Sequence, residues 1–110
     1  MGHVIRDGYT REMALQSVGE GWSSLVNEAF DMLTNVLGDV RVIQVKEKFG
    51  GLRIYTDVYV ESIESIITDI ERRSFSICEQ CGQFGELRSG GWYQTLCEEH
   101  ANGRSTVDPF

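Results

Sequence analysis

Residues 40–60, VRVIQVKEKFGGLRIYTDVYV, decide how the chain is read. β-Branched and aromatic residues alternate with polar ones on both sides of Gly50-Gly51, a dipeptide suited to the two-residue turn of an antiparallel hairpin. With those glycines as the turn, Phe49 faces Leu52 and the remaining pairs follow. One face then carries Ile43, Val45, Phe49, Leu52, Ile54, Val58 and Val60, and the other Gln44, Lys46, Lys48, Arg53, Tyr55, Asp57 and Tyr59. A one-residue slip would exchange the faces, so the apolar set is expected to fix the register.

Helical periods lie on either side. From Trp22 the apolar residues Leu25, Val26, Ala29, Phe30, Leu33, Val36 and Leu37 recur at i, i+3, i+4 and i+7, and Gly38 is placed to stop the helix. Trp22 opens this stripe and is read as core rather than as a ligand-stacking residue. Ile63, Ile66, Ile67 and Ile70 repeat the pattern over Glu61 to Ser74. Glu61 and Glu64 in its first turn and Arg72 and Arg73 in its last suit the helix dipole. A shorter helix is expected over Arg11 to Val18, behind Thr10 as a cap. Two amphipathic helices packed on the apolar face of a hairpin make an α+β layer. The expected organisation is an α+β core over residues 1–75, a metal-binding lobe over 76–102 packed on it, and a flexible tail over 103–110.

The chain has 110 residues, 41% hydrophobic and 25% charged, with a single proline. That is globular composition, which excludes low-complexity disorder and leaves no room for a large enzyme. No apolar run approaches the roughly 20 residues that span a bilayer, and Met1 to Val4 lack a signal-peptide layout, so a cytoplasmic protein without membrane contact is expected.

Three cysteines without an export signal argue against a disulfide framework. Cys78-Glu79-Gln80-Cys81-Gly82 is followed, after fifteen residues counted from Gly82 through Leu96, by Cys97-Glu98-Glu99-His100. The odd cysteine count thus becomes a complete Cys₃His set, whose thiolate and imidazole ligands suit one structural Zn²⁺. A redox dithiol at Cys78 and Cys81 is the competing reading. Four protein ligands leave no coordination position for a catalytic water. The arrangement resembles the treble-clef group of zinc fingers, which implies a knuckle at Cys-x2-Cys-Gly, a short hairpin turning near Ser89-Gly90-Gly91, and a second ligand pair at the start of a helix.

The net charge of -7 is uneven. Residues 1–39 hold six acids and two bases, residues 61–110 nine acids and four bases, whereas residues 40–60 hold two acids and four bases. Only the hairpin is positive. Lys46, Lys48 and Arg53 converge near its turn, with Tyr55 and Tyr59 beyond them. Gly50 and Gly51 can admit a ligand to the backbone, and Arg88 and Trp92 can join from the metal lobe, although Trp92 with Tyr93 is read first as the small core that covers zinc. Such a set suits an anionic small molecule or nucleotide. A solvated strand face is the plain alternative. The acidic remainder disfavours extended, nonspecific nucleic-acid binding. No histidine is left for general-base work, and no nucleophile elbow, phosphate loop, metalloprotease or deaminase pattern occurs, so no enzymatic activity is expected.

Taken together, Gly21-Trp22, the segment Gln44-Val45-Lys46-Glu47-Lys48-Phe49-Gly50-Gly51-Leu52-Arg53-Ile54-Tyr55, and Cys78-x2-Cys-Gly through Gly91-Trp92 to Leu96-Cys97-x2-His100 resemble a group of small uncharacterised bacterial and bacteriophage proteins. The likeness spans residues 21–101. It implies a phage or mobile-element context, in which small acidic proteins disable a host protein or sequester a signal molecule, and it draws attention to the hairpin patch. Three functions follow as expectations. The first is a non-catalytic binder of an anionic ligand, serving to counter or regulate a host system. The second is an inhibitor that sets its acidic surface against a host enzyme, and the third a zinc-finger transcriptional regulator. Any of them is compatible with a homo-oligomer.

Overall fold

The computed structural model of the chain describes residues 8–37 and 40–109. The N-terminal residues Met1 to Val4, the Gly38 stop and the side chains of Val36 and Leu37 therefore lie outside the described residues. The fold is α+β. Helix α1 covers Arg11–Ser17, and its first turn is capped by the Thr10 hydroxyl, which accepts from the Met13 N–H at 3.1 Å. A single 3₁₀ turn, Glu20–Trp22, leads into α2, Ser23–Leu37. Strands β1, Val42–Lys48, and β2, Gly51–Thr56, form the antiparallel hairpin, and α3 spans Glu61–Ser74. The core lies between the helices and one hairpin face. Trp22, Leu25, Val26, Ala29 and Leu33 meet Val42, Val45, Leu52 and Ile54 from one side and Ile63, Ile66 and Ile70 from the other.

The hairpin register differs from the expected one. Lys48 pairs with Gly51, Lys46 with Arg53 and Val45 with Ile54, so the central turn residues are Phe49 and Gly50. Both carry positive φ, 54° and 84°, as a type I′ turn requires. Gly51 belongs to β2 instead, where the Phe75 ring lies against its Cα and a side chain would collide with it. This register sets Val45 against Ile54, both buried. Three residues assigned to the apolar face leave it, among them Val60, 42% exposed past the end of β2. Phe49 stands at the tip, 64% exposed, and Ile43 sits at an irregularity between Val42 and Gln44 that turns Val42 inward in its place.

The outer edge of β2 is closed by helix side chains rather than by a third strand. Leu52 N–H donates to the Ser74 hydroxyl at 2.9 Å and Ile54 N–H to the Glu71 carboxylate at 3.0 Å. Two backbone donors that burial would otherwise leave unpaired are thereby satisfied.

Residues from Ser76 onward build a separate small sheet of order β4-β3-β5, with β3 at Glu86–Ser89, β4 at Gln94–Leu96 and β5 at Ser105–Thr106. The tail expected to be loose from residue 103 is instead tied in. Arg88 pairs with Thr106, Ser89 pairs with Ser105, and Val107 N–H donates to Leu87 O at 2.8 Å.

Candidate metal centre and the hairpin face

The loop Cys78 to Gly82 folds back as a knuckle, with Gly82 N–H donating to Cys78 O at 2.9 Å and Gly82 at φ 84°. At the far end of β4, Cys97 precedes a single 3₁₀ turn, Glu98–His100, which brings His100 back beside it. The α-helix implied by the treble-clef resemblance is reduced to this one turn, because Asn102 and Gly103, both at positive φ, reverse the chain into β5. The donor atoms of Cys78, Cys81, Cys97 and His100 all lie within 4.8 Å of one another.

These distances fit a tetrahedral ion. Metal–sulfur bonds of about 2.3 Å at the tetrahedral angle separate two sulfurs by about 3.8 Å. Cys81 Sγ and Cys97 Sγ are 3.7 Å apart, and His100 Nδ1 lies 3.2 Å from Cys97 Sγ and 3.7 Å from Cys78 Sγ. Burial pushes the Cys78 thiol up, but backbone groups of Cys97, Cys81 and Gln80 bonded to its sulfur outweigh this and hold it down at about 6. Cys81 is pushed the other way. The Gln83 backbone favours its thiolate, yet burial and the adjacent Cys78 and Cys97 sulfurs raise it. The same two sulfurs, Cys97 foremost, raise His100. Three thiols this close cannot all ionise without a cation among them, and a bound metal ion supplies that charge.

Around the ligands, the lobe is fastened to the α+β body at two places. Gly21 N–H donates to Glu79 O at 2.9 Å, and the Trp22 indole N–H donates to Ile77 O at 2.8 Å. A Cβ on Gly21 would strike Cys78 O, so the knuckle can rest on the 3₁₀ turn only because that residue is glycine. At the second place, the Thr95 hydroxyl donates to Gly50 O at 2.7 Å, while Leu87 and the Tyr93–Gln94 backbone press on Gly50. Glu79 braces both. Its N–H donates to Thr95 O, its carboxylate accepts from Thr95 N–H, and burial raises its pKa.

The second seat changes the reading of the glycine turn. Gly50 and Gly51 are buried under Leu87 and Phe75 and offer no backbone to a ligand. Arg88 is likewise withdrawn. It is 6% exposed and donates to Leu96 O and Arg104 O, with its third nitrogen 3.8 Å from Glu98. It holds the lobe together. Trp92 does the opposite of what a core residue would do: it is 65% exposed, with the Arg104 guanidinium stacked 4.4 Å from its ring centroid.

On the hairpin, Lys46, Lys48, Arg53 and Tyr55 share the face turned away from the core. Lys46 pairs with Arg53 across the strands, and its ammonium lies 5.8 Å from the Tyr55 ring centroid. Lys48 sits over Phe49 at 5.7 Å. Arg53 is partly engaged, 3.8 Å from Glu71. Tyr59 lies beyond the end of β2, where strand alternation no longer places it beside Tyr55. Phe49 and Arg104 reach the surface outside the set expected from sequence, as does Phe84, 71% exposed. The first was hidden by the turn register, and the second lay in the segment read as tail.

No family model, curated protein or solved structure matches this chain. Among the described residues, no helix is long and apolar enough to cross a membrane.

Proposed function

We propose that the chain is a non-catalytic, zinc-stapled binding protein that takes an anionic ligand on the outer face of its hairpin. The observation that carries this is the direct pairing of Lys46 with Arg53, flanked by Lys48 and Tyr55, in a chain of net charge -7. Phe49 strengthens it. A bulky residue in the left-handed region is uncommon, and here it holds an aromatic ring in solvent beside an ammonium group. Zinc is assigned because three thiolates and an imidazole in a closed tetrahedral set suit that ion above other divalent metals. Its role is structural, since the four ligands leave no open position. A cytoplasmic setting, with a host signal nucleotide as the anion, completes the proposal.

Elemental analysis should find one zinc per chain. Calorimetric titration with mono-, di- and cyclic nucleotides should then resolve a saturable binding event that the pair Lys46→Glu and Lys48→Glu removes. Those two lysines are the better test than Arg53, whose loss would also strand Glu71. Absence of heat across the panel would overturn the reading in favour of the inhibitor alternative. That alternative has its own support in a cleft of about 360 Å³ on α3, lined by Glu61, Glu64 and Asp69.

A further inference from the structure

The metal lobe carries a second cleft, of about 520 Å³, between the β3–β4 turn and β5. Its volume falls within the range of small-molecule sites. Ser89, Trp92, Gln94, Asn102, Arg104 and Ser105 line it, and no carboxylate does. Two other clefts contrast with it, one lined by Glu86, Glu98 and Glu99 and the other by Glu61, Glu64 and Asp69.

The chemistry of the walls is specific. Trp92 stays 65% exposed with a guanidinium over it, so a large aromatic surface is held in water rather than in the core. Arg104 is fixed in that pose by its donation to Trp92 O at 2.6 Å and forms no ion pair among the described residues. Its remaining donors are therefore open to an anion. The hydroxyls of Ser89 and Ser105 and the amide of Asn102 form no hydrogen bond to another described residue. A stacking ring, an unpaired guanidinium and a polar rim without acids are what a nucleotide requires: a planar base for the indole, a phosphate for the arginine, and base or sugar edges for the hydroxyls and amide. The Cys₃His set anchors both walls, since Asn102 and Arg104 lie two and four residues after His100 and Gln94 three before Cys97.

We infer that this Trp92–Arg104 cleft is a nucleotide-binding site, distinct from the hairpin face and independent of the reading given to it. A free nucleotide and one unit of a single strand share the recognised chemistry, and the experiment separates them. The zinc-loaded full chain is titrated with AMP, GMP, CMP and UMP in one arm and with a six-residue oligothymidylate in the other, reading tryptophan emission. Trp22 is fully buried and Trp92 is not, so stacking quenches the solvent-exposed component alone. Saturable quenching by the mononucleotides identifies a free-nucleotide site, whereas quenching by the oligonucleotide alone identifies a strand-binding one. Trp92→Ala and Arg104→Ala, with zinc content and melting midpoint retained, should each weaken binding of a labelled probe at least about fivefold, the lower end for loss of a base–aromatic stack. Lys46→Glu with Lys48→Glu should leave this binding in place. No saturable quenching in either arm, or parental affinity in both alanine variants, overturns the inference.

Discussion

The body and the lobe of this molecule solve the same problem by different means. The body buries a cluster of thirteen apolar residues drawn from three helices, the 3₁₀ turn and the hairpin, and closes its sheet edge with Ser74 and Glu71. In the lobe the buried cluster is Cys78, Leu96 and Cys97, two of which belong to the candidate metal set. That cluster, with Leu87 and Ala101 buried beside it, cannot offset the conformational entropy of some thirty ordered residues, at about 1–2 kcal/mol of backbone entropy each. The lobe must therefore draw its stability from its two seats on the body and from the ion that its Cys₃His set is proposed to hold. Structure in the body is a consequence of hydrophobic periodicity, whereas in the lobe it is a consequence of ligand chemistry.

Removing the metal is the strongest way to break that contrast. Structural zinc supplies apparent binding free energies of about 10–16 kcal/mol, more than a folded domain usually has to spare. Chelation, or Cys97→Ser, should abolish stoichiometric zinc and leave the β3–β4–β5 amides unprotected against hydrogen exchange. The helices α2 and α3 should persist, because Ile77 alone among the described residues packed on their core comes from the lobe. Loss of helical circular dichroism in step with zinc would show instead that the two regions fold as one unit.

A smaller effect should come from the second seat. Gly50→Ala puts a side chain at φ 84° and against Leu87, and such strained positions cost about 1–3 kcal/mol. Thr95→Val removes the donor to Gly50 O and leaves a buried carbonyl unsatisfied, at a cost of about 1–3 kcal/mol. Because the two groups touch, urea denaturation of the double variant should show less than the sum of the single losses. Strict additivity would mean that the hairpin turn and the lobe do not act on each other.

The parts of this architecture that could be read from sequence are those governed by one rule at a time. Helix α3 begins at Glu61 and ends at Ser74 as its isoleucine spacing and terminal charges indicate. The clustering of Cys78, Cys81, Cys97 and His100 is legible because tetrahedral metal chemistry demands a set of four. The register is not, since Phe49-Gly50 and Gly50-Gly51 both allow a tight turn, and what decides between them is Phe75, a residue distant in sequence that occupies the space at Gly51. Arg88 misleads for a related reason. Arginines are rarely buried, and only the three-strand arrangement with β5 reveals the carbonyls that take its protons. Strand β5 itself is two residues long, too short to leave any alternation.

The smallest effect expected concerns the closed edge of β2, the feature that most separates the body's solution from the lobe's. Burial raises the Glu71 pKa, and the opposing influences of the Ile54 N–H and Arg53 do not cancel it. The folded state therefore holds this proton more tightly than the unfolded chain does. Its contribution is fully present below the ordinary carboxylate range and is lost as pH rises through the elevated value. Glu71→Gln retains an oxygen for Ile54 N–H but has nothing to titrate. Subtracting its stability from the parent's, measured by urea denaturation between pH 4 and pH 8 at about 25 °C, isolates the Glu71 contribution, since Glu28, which Arg73 holds low and whose stabilisation fades in acid, is common to both chains. The difference should favour the parent most at the acidic end and decline toward neutrality. If it were flat or rose with pH, the carboxylate would be solvated, and the sheet edge of the body would be open to water rather than sealed by the helix.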